Sequence, residues 1–389
     1  MTLVSPVVAP FGRTLTVFTL TGVLVSGQLY VVIPLLDAMA AGWGASAGDL
    51  TWLVTVFGIG YAVGFLAFGP LSDRYGRRRL LLAGLPLAAL TTALVALSPS
   101  PEAALVARAL QGGTVAIFPP AGMAYLAERV APGRRVVAIA TVTGSFLTSA
   151  VLLQVAAQLL VDAIGWRGLF GLSAAGFAAA ALALRAVMLP DLPRDGGGSL
   201  VSVYRAVPGL LFDRVLGLRY LASAMLLAVF VAVYTGLQVY GVASPAHLLV
   251  LRAAGLPSIV LMPFAMRWLG RIPTTTRAVS FLGAAAVTLA ALGLAGDAAM
   301  APLLALYAAA IAGGLPGLNE AVSAGAGAAR GTALALFSFM LAVGSSLGPQ
   351  LAAAFGAFTP LTYGLALTMA LSALAVRIST SLPRSDRSR

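Results

Sequence analysis

The chain contains no cysteine, no lysine and a single histidine, His247. Without thiols it has neither a disulfide framework nor a thiolate metal site, and one imidazole gives no basis for a histidine metal cluster. Charge is also scarce: 9% of the 389 residues are charged against 60% hydrophobic, and the mean hydropathy is +0.98. A soluble domain of this length cannot hide so much apolar surface beneath a polar skin. The bilayer must take the surplus. No segment reads as a phosphate-binding P-loop, and loops of about ten to thirty residues leave no room for an ATPase domain, so a nucleotide-driven pump is excluded.

What is present is a series of long apolar runs. A membrane-crossing helix needs about 20 apolar residues, and twelve such windows can be drawn, at about 14–36, 50–72, 80–97, 103–126, 136–161, 168–184, 220–243, 245–266, 278–296, 298–326, 332–355 and 360–376. The short hinges near Ser244 and Asp297 are the two points where a hairpin could instead be one long segment. All 24 basic residues are arginine, and the formal charge of +12 would suggest nucleic acid if they were clustered on a soluble face. They are not. With the N-terminus inside, 21 arginines fall in cytoplasmic segments and tails, only Arg167 falls outside, and Arg108 and Arg252 lie within the membrane. The positive-inside rule then predicts both termini on the cytoplasmic side of a plasma (inner) membrane. The first span follows Arg13 without a small-residue cleavage pattern and reads as a retained helix, not a signal peptide.

Residues 190–218 mix Pro190, Pro193 and Gly196 to Gly198 with charges, and form the one clear linker. It divides the chain into an N-terminal six-helix half, 1–189, and a C-terminal half, 219–389. The halves echo each other weakly: Pro263 to Arg271 repeats the pattern of Gly69 to Arg77, and Gly144-Ser145-Phe146-Leu147 that of Gly344-Ser345-Ser346-Leu347. Parallel repeats with a ligand site between them are a transporter architecture. The 43 glycines suit close helix crossings, as at Gly60 to Gly64 and Gly344 to Gly348.

The loop after the second span reads Gly69-Pro70-Leu71-Ser72-Asp73-Arg74-Tyr75-Gly76-Arg77-Arg78-Arg79. It resembles the loop motif of the major facilitator superfamily, G-x-L-(small)-D-R-x-G-R-R, at nearly every position and at the right place in the chain. An ordinary arginine-rich loop would account for the arginines but not for Gly69, Asp73 and Gly76 at this spacing. The resemblance implies an all-α integral membrane fold of about twelve helices in two six-helix halves. It also implies a gating latch: Gly69 admits a neighbouring helix, Asp73 faces the positive N-terminus of the eleventh span, and Arg74 and Arg77 complete the ion pairs. Arg78 and Arg79 would meet lipid phosphates.

Arg108-Ala109-Leu110-Gln111-Gly112 is similar to the family's second motif, R-x-x-Q-G. An arginine about six residues inside a span either snorkels to the outer interface or faces a polar cavity, for proton coupling or anion binding. The fifth span departs from the drug-antiporter pattern, having Thr148-Ser149 where that branch has glycine-proline, and Gly348-Pro349 stands instead in the eleventh. Gly165-Trp166-Arg167 resembles the family's loop before the sixth span. Among the remaining membrane polars are Gln28, Asp37 at the end of the first span, Glu320 in the tenth and Arg252 about eight residues into the eighth. Glu320 is the one carboxylate expected deep in the membrane, and so the expected proton carrier, with Arg108 and Arg252 as partners and Asp37 in reserve.

The function that follows is a secondary active transporter, exporting a small and fairly apolar molecule by alternating access on a proton gradient. Expected partners are that substrate, protons and membrane lipids, with no nucleic acid, no cofactor and a monomeric chain. Uptake or facilitated diffusion of a metabolite is the alternative on the same scaffold. An integral membrane enzyme would need clustered His, Asp or Glu near an interface, and the scattered carboxylates argue against one.

Overall fold

The computed structural model describes residues 8–191, 207–269 and 271–382, and among them every regular element is helical. Most of the linker, including Pro193, Arg194, Gly196 to Gly198 and Arg205, lies outside the described residues, as do Gly270 and the tail arginines Arg384, Arg387 and Arg389. The helices are α1 Phe11–Tyr30, α2 Leu36–Trp43, α3 Trp52–Tyr75, α4 Arg77–Ala96, α5 Pro101–Val115, α6 Phe118–Arg129, α7 Pro132–Val187, α8 Val207–Leu211, α9 Arg214–Val239, α10 Pro245–Ala253, α11 Leu256–Leu269, α12 Thr274–Leu292, α13 Asp297–Gly325, α14 Arg330–Ala353 and α15 Phe358–Ser381.

Among the described residues nine helices are long and apolar enough to cross a membrane, and α1 with its bent continuation through α2 adds a tenth. The count reaches twelve once two interruptions are recognised. The 56-residue α7 holds two spans, divided at Gly165, whose φ of 66° departs from helix. α5 and α6 are two pieces of one span, broken at Ala116 and Ile117. Local capping settles the hinges that were ambiguous in the sequence. Ser244 accepts from the His247 amide at 3.4 Å with Pro245 in the first turn, so α10 starts afresh after α9. Likewise α12 stops at Leu292 and α13 starts at Asp297.

Two compact units result. The first comprises residues 1–38 and 60–198, the second 39–59 and 199–389, so the first turns of α3 cluster with the second unit. In the first, α7 packs against α1 and α4, and α5 lies on α4; in the second, α9 packs against α14 and α15, and α12 against α13 and α15. Without water to drive association, helix pairs in lipid depend on close contact. A Cβ at Gly60 would run into the Ala109 carbonyl, and one at Gly344 into the Ala224 carbonyl, so both glycine pairs singled out in the sequence mark backbone-to-backbone crossings. The opposite faces stay apolar and open: Leu90, Val106, Leu182, Val287 and Leu367 are each more than half exposed, as side chains that face lipid must be.

Candidate functional site

The loop motif folds as a tight corner between α3 and α4. Gly76 has φ 101° and ψ 143°, a region closed to residues with a side chain. A Cβ there would also collide with the Asp191 carboxylate. That carboxylate accepts from the backbone N–H of Arg78 at 2.9 Å and of Arg79 at 3.2 Å, and so caps the N-terminus of α4 from the far end of the first unit. The segment before it is fastened too: Arg78 Nε donates to the Met188 carbonyl at 3.1 Å, the Leu189 amide to the Tyr125 hydroxyl at 2.8 Å, and Arg129 to the Pro190 carbonyl. Arg78 is therefore engaged with protein, where the sequence reading gave it to lipid phosphate alone. Gly76→Ala should cost about 1–3 kcal/mol from backbone strain alone and release Asp191 besides; thermal unfolding of the purified variant measures it, and an unchanged Tm would contradict this geometry.

Arg77 is the centre of the motif's ion pairs. Its guanidinium reaches Asp73 at 2.5 Å and Glu128, at the end of α6, at 2.9 Å. Asp73 is largely exposed, with 70% of its side chain open, whereas Glu128 is 31% open, so the Glu128 bond is the less screened of the two. Arg74 is exposed and lies 5.7 Å from the Tyr75 ring. A Cβ at Gly69 would meet nothing within 4 Å. Nothing in the sequence pointed to Glu128 or Asp191.

The second unit repeats the arginine-to-glutamate pair. Arg277, in the first turn of α12, bonds Glu320 near the end of α13, and Thr274 donates to the same carboxylate at 3.3 Å. The sequence put Glu320 deep in the bilayer; the structure corrects this. α13 runs on only to Gly325, so Glu320 sits in its last two turns with 54% of its side chain exposed. Its partner is Arg277, which looked like a loop arginine, and not Arg108 or Arg252. Asp37 is exposed at the first turn of α2. Among the described residues no carboxylate is buried, while Arg77, Arg108, Arg219, Arg252 and Arg277 are.

Arg108 does not snorkel: it is 0% exposed. Its Nη1 donates to the Gln28 carbonyl at 3.0 Å and to Gln111 Oε1 at 2.7 Å, and Gln111 Nε2 donates to Gln28 Oε1 at 3.0 Å and to Thr92 Oγ1 at 2.9 Å. The Phe170 ring lies 5.8 Å from the guanidinium carbon. Three spans are thus joined through Arg108 and Gln111 together, close to the helix breaks at residues 31–32 and 116–117. Arg252, 1% exposed on the last turn of α10, donates to the Gln238 side-chain oxygen of α9. Within the second unit Thr55 donates to the Ser346 carbonyl at 2.8 Å and accepts from Gln350 at 3.0 Å. On the sixth span Arg167 stacks over Trp166 at 4.1 Å and donates to the Ser98 carbonyl at 3.1 Å.

Comparisons with known proteins agree with this construction. The profile of the Major Facilitator Superfamily matches residues 18–349. The chain is 32% identical over 126 residues to the tetracenomycin C resistance and export protein of Streptomyces glaucescens, covering 32% of this chain and 23% of that protein. It is 32% identical over 158 residues to the multidrug efflux pump LfrA of Mycolicibacterium smegmatis, covering 40% and 31%. The aligned stretches span less than half the length of these relatives. The fold is similar to that of a bacterial homologue of the human lysosomal transporter Spinster, with a TM-score of 0.70 at 16% identity over 96% of each chain. A twelve-span helical bundle carrying the glycine, aspartate and arginine loop between its second and third spans, matched by that profile over most of its length, belongs to the Major Facilitator Superfamily.

Proposed function

We propose that the chain exports a small, largely apolar compound by alternating access, driven by the proton gradient, and catalyses no reaction. The observation that carries the transport reading is the family profile over residues 18–349; the export direction is supported by relatives named for export and efflux. The arginine asymmetry of the sequence supports both termini lying on the cytoplasmic side, next to the loop motif. Membrane vesicles turned inside out and loaded with the chain test direction and energy source together. They should accumulate substrate, and a protonophore should empty them. Accumulation that survives the protonophore would remove proton coupling.

For the coupling step, the carboxylates paired to buried arginines are the available proton acceptors, and Glu320 is the one proposed. Protonation cancels its charge, frees Arg277 and loosens α12 from α13, which is how a proton can be exchanged for a movement. Glu320→Gln should therefore abolish protonophore-sensitive accumulation while leaving exchange across proteoliposomes within about threefold of the parent, since an amide still accepts from Arg277. Full proton-driven accumulation by that variant would make Glu320 structural.

A further inference from the structure

Arg108 of the first unit is tied among amides; Arg252 of the second stands beside phenols. Arg252 gives an N–H to Gln238, and its guanidinium carries a fixed positive charge and only donors. Tyr234 of α9 and Tyr307 of α13 are 0% and 1% exposed, and neither hydroxyl has a hydrogen-bond partner among the described residues. Tyr234 lies one helical turn from Gln238, the residue that accepts from Arg252. The adjacent Thr235 hydroxyl is equally unmatched. Leaving a buried hydroxyl without a partner costs about 1–3 kcal/mol, and native interiors rarely do so. Two phenols and a hydroxyl left in this way beside a cation are donors held in reserve.

Two further features describe what they await. Phe230 makes an aromatic wall, its ring 5.0 Å from that of Tyr234 and 6.4 Å from that of Tyr307. The helix carrying Arg252 is interrupted by a two-residue turn at Ala254 and Gly255, immediately beyond the cation. Discontinuous helices are where transporters build their ligand sites. The cluster offers donors and positive charge, and the ligand it suits offers acceptors and negative charge. An ammonium would be repelled by Arg252, and a neutral ester would bring an acceptor without the charge.

We propose that Arg252, Tyr234 and Tyr307 receive the acid group of the transported compound, a carboxylate or ionised phenol carried on an aromatic body. In the state described the hydroxyls are sealed, so entry requires α10 to swing at the break after Arg252. That the acid is cargo, not a regulator, rests on the export reading above; the binding itself does not.

The test is binding by the purified full chain in detergent, read by thermal unfolding and titration. Benzoate, naphthoate and anthracene carboxylate are used as probes, each beside its methyl ester. At least one acid should raise the Tm with concentration while its ester does not. The double variant Tyr234→Phe, Tyr307→Phe removes only two unmatched oxygen atoms and should fold as well as the parent, yet bind that acid about tenfold or more weakly. Arg252→Gln should abolish the shift. Esters binding as well as acids, acids binding the double variant as tightly as the parent, or no acid binding at all would each overturn the proposal; in the second case the phenols serve only a buried water. No gradient is present, so a failure of proton-driven export in vesicles leaves this result standing, and the reverse.

Discussion

Replacing Arg108 by alanine should abolish transport and destabilise the protein by about 3–5 kcal/mol, the cost of removing one member of a fully buried polar network. The argument is one of satisfaction. Gln111 and Gln28 are both 0% exposed, and each presents an oxygen to the guanidinium. With the cation gone those oxygens face no donor, and the amide-to-amide bond of Gln111 with Gln28 loses its orientation. Arg108→Lys should fail nearly as badly for transport while recovering part of the stability. An ammonium keeps the charge, but it is more strongly hydrated and lacks the planar fork that meets two acceptors from one side. Flux at equal membrane abundance and thermal unfolding of purified protein separate the two effects. Wild-type flux in the lysine variant would mean that charge alone suffices.

The second large effect is expected at Arg77. Arg77→Gln should lower transport more than about tenfold with near-normal expression, because the two carboxylates it bridges, Asp73 and Glu128, then face each other without a cation. Exposure ranks the partners. Asp73 is 70% open, so its pair is heavily screened and Asp73→Asn should barely change the Tm. Glu128→Gln should cost more, since that carboxylate is only 31% open. Adding Glu128→Gln to Arg77→Gln should restore part of the stability by removing the orphaned charge. A double variant no more stable than the single one would show that the pair is not what holds this corner.

The spans, the loop motif and the placing of Arg108 and Gln111 in one helical motif were legible in the sequence because each is local. Apolar runs, an eleven-residue motif and an i, i+3 spacing all show within one helix or turn. What was illegible is long-range. Asp191 reaches Arg78 across 113 positions and Glu128 reaches Arg77 across 51, and neither carries a local signal. Glu320 was misread for a different reason. An apolar window reports mean hydropathy, not depth, and a carboxylate in the last turns of a long helix can look buried while its side chain has already reached the bundle's end. Arg252 was visible as an intramembrane cation, but its surroundings were not, because Gln238, Tyr234 and Tyr307 come from two other helices. The breaks at 116–117 and 254–255 fall just before Pro119-Pro120 and Pro257, prolines that the apolar windows ran across, and the backbone is what places them.

The crossings at Gly60 and Gly344 divide the chain into positions with opposite freedom to drift. Where a carbonyl presses on the space a Cβ would fill, no mutation is tolerated without prising two helices apart, whatever its polarity. On the outward faces, Leu90, Val106 or Leu367 answers only to hydrocarbon, and leucine, valine, isoleucine and phenylalanine serve there almost interchangeably. Selection therefore grips a thin interior seam and leaves the lipid-facing majority to wander. Relatives that keep about a third of their residues over aligned stretches, and a solved fold shared at 16% identity, are the distances such a division allows.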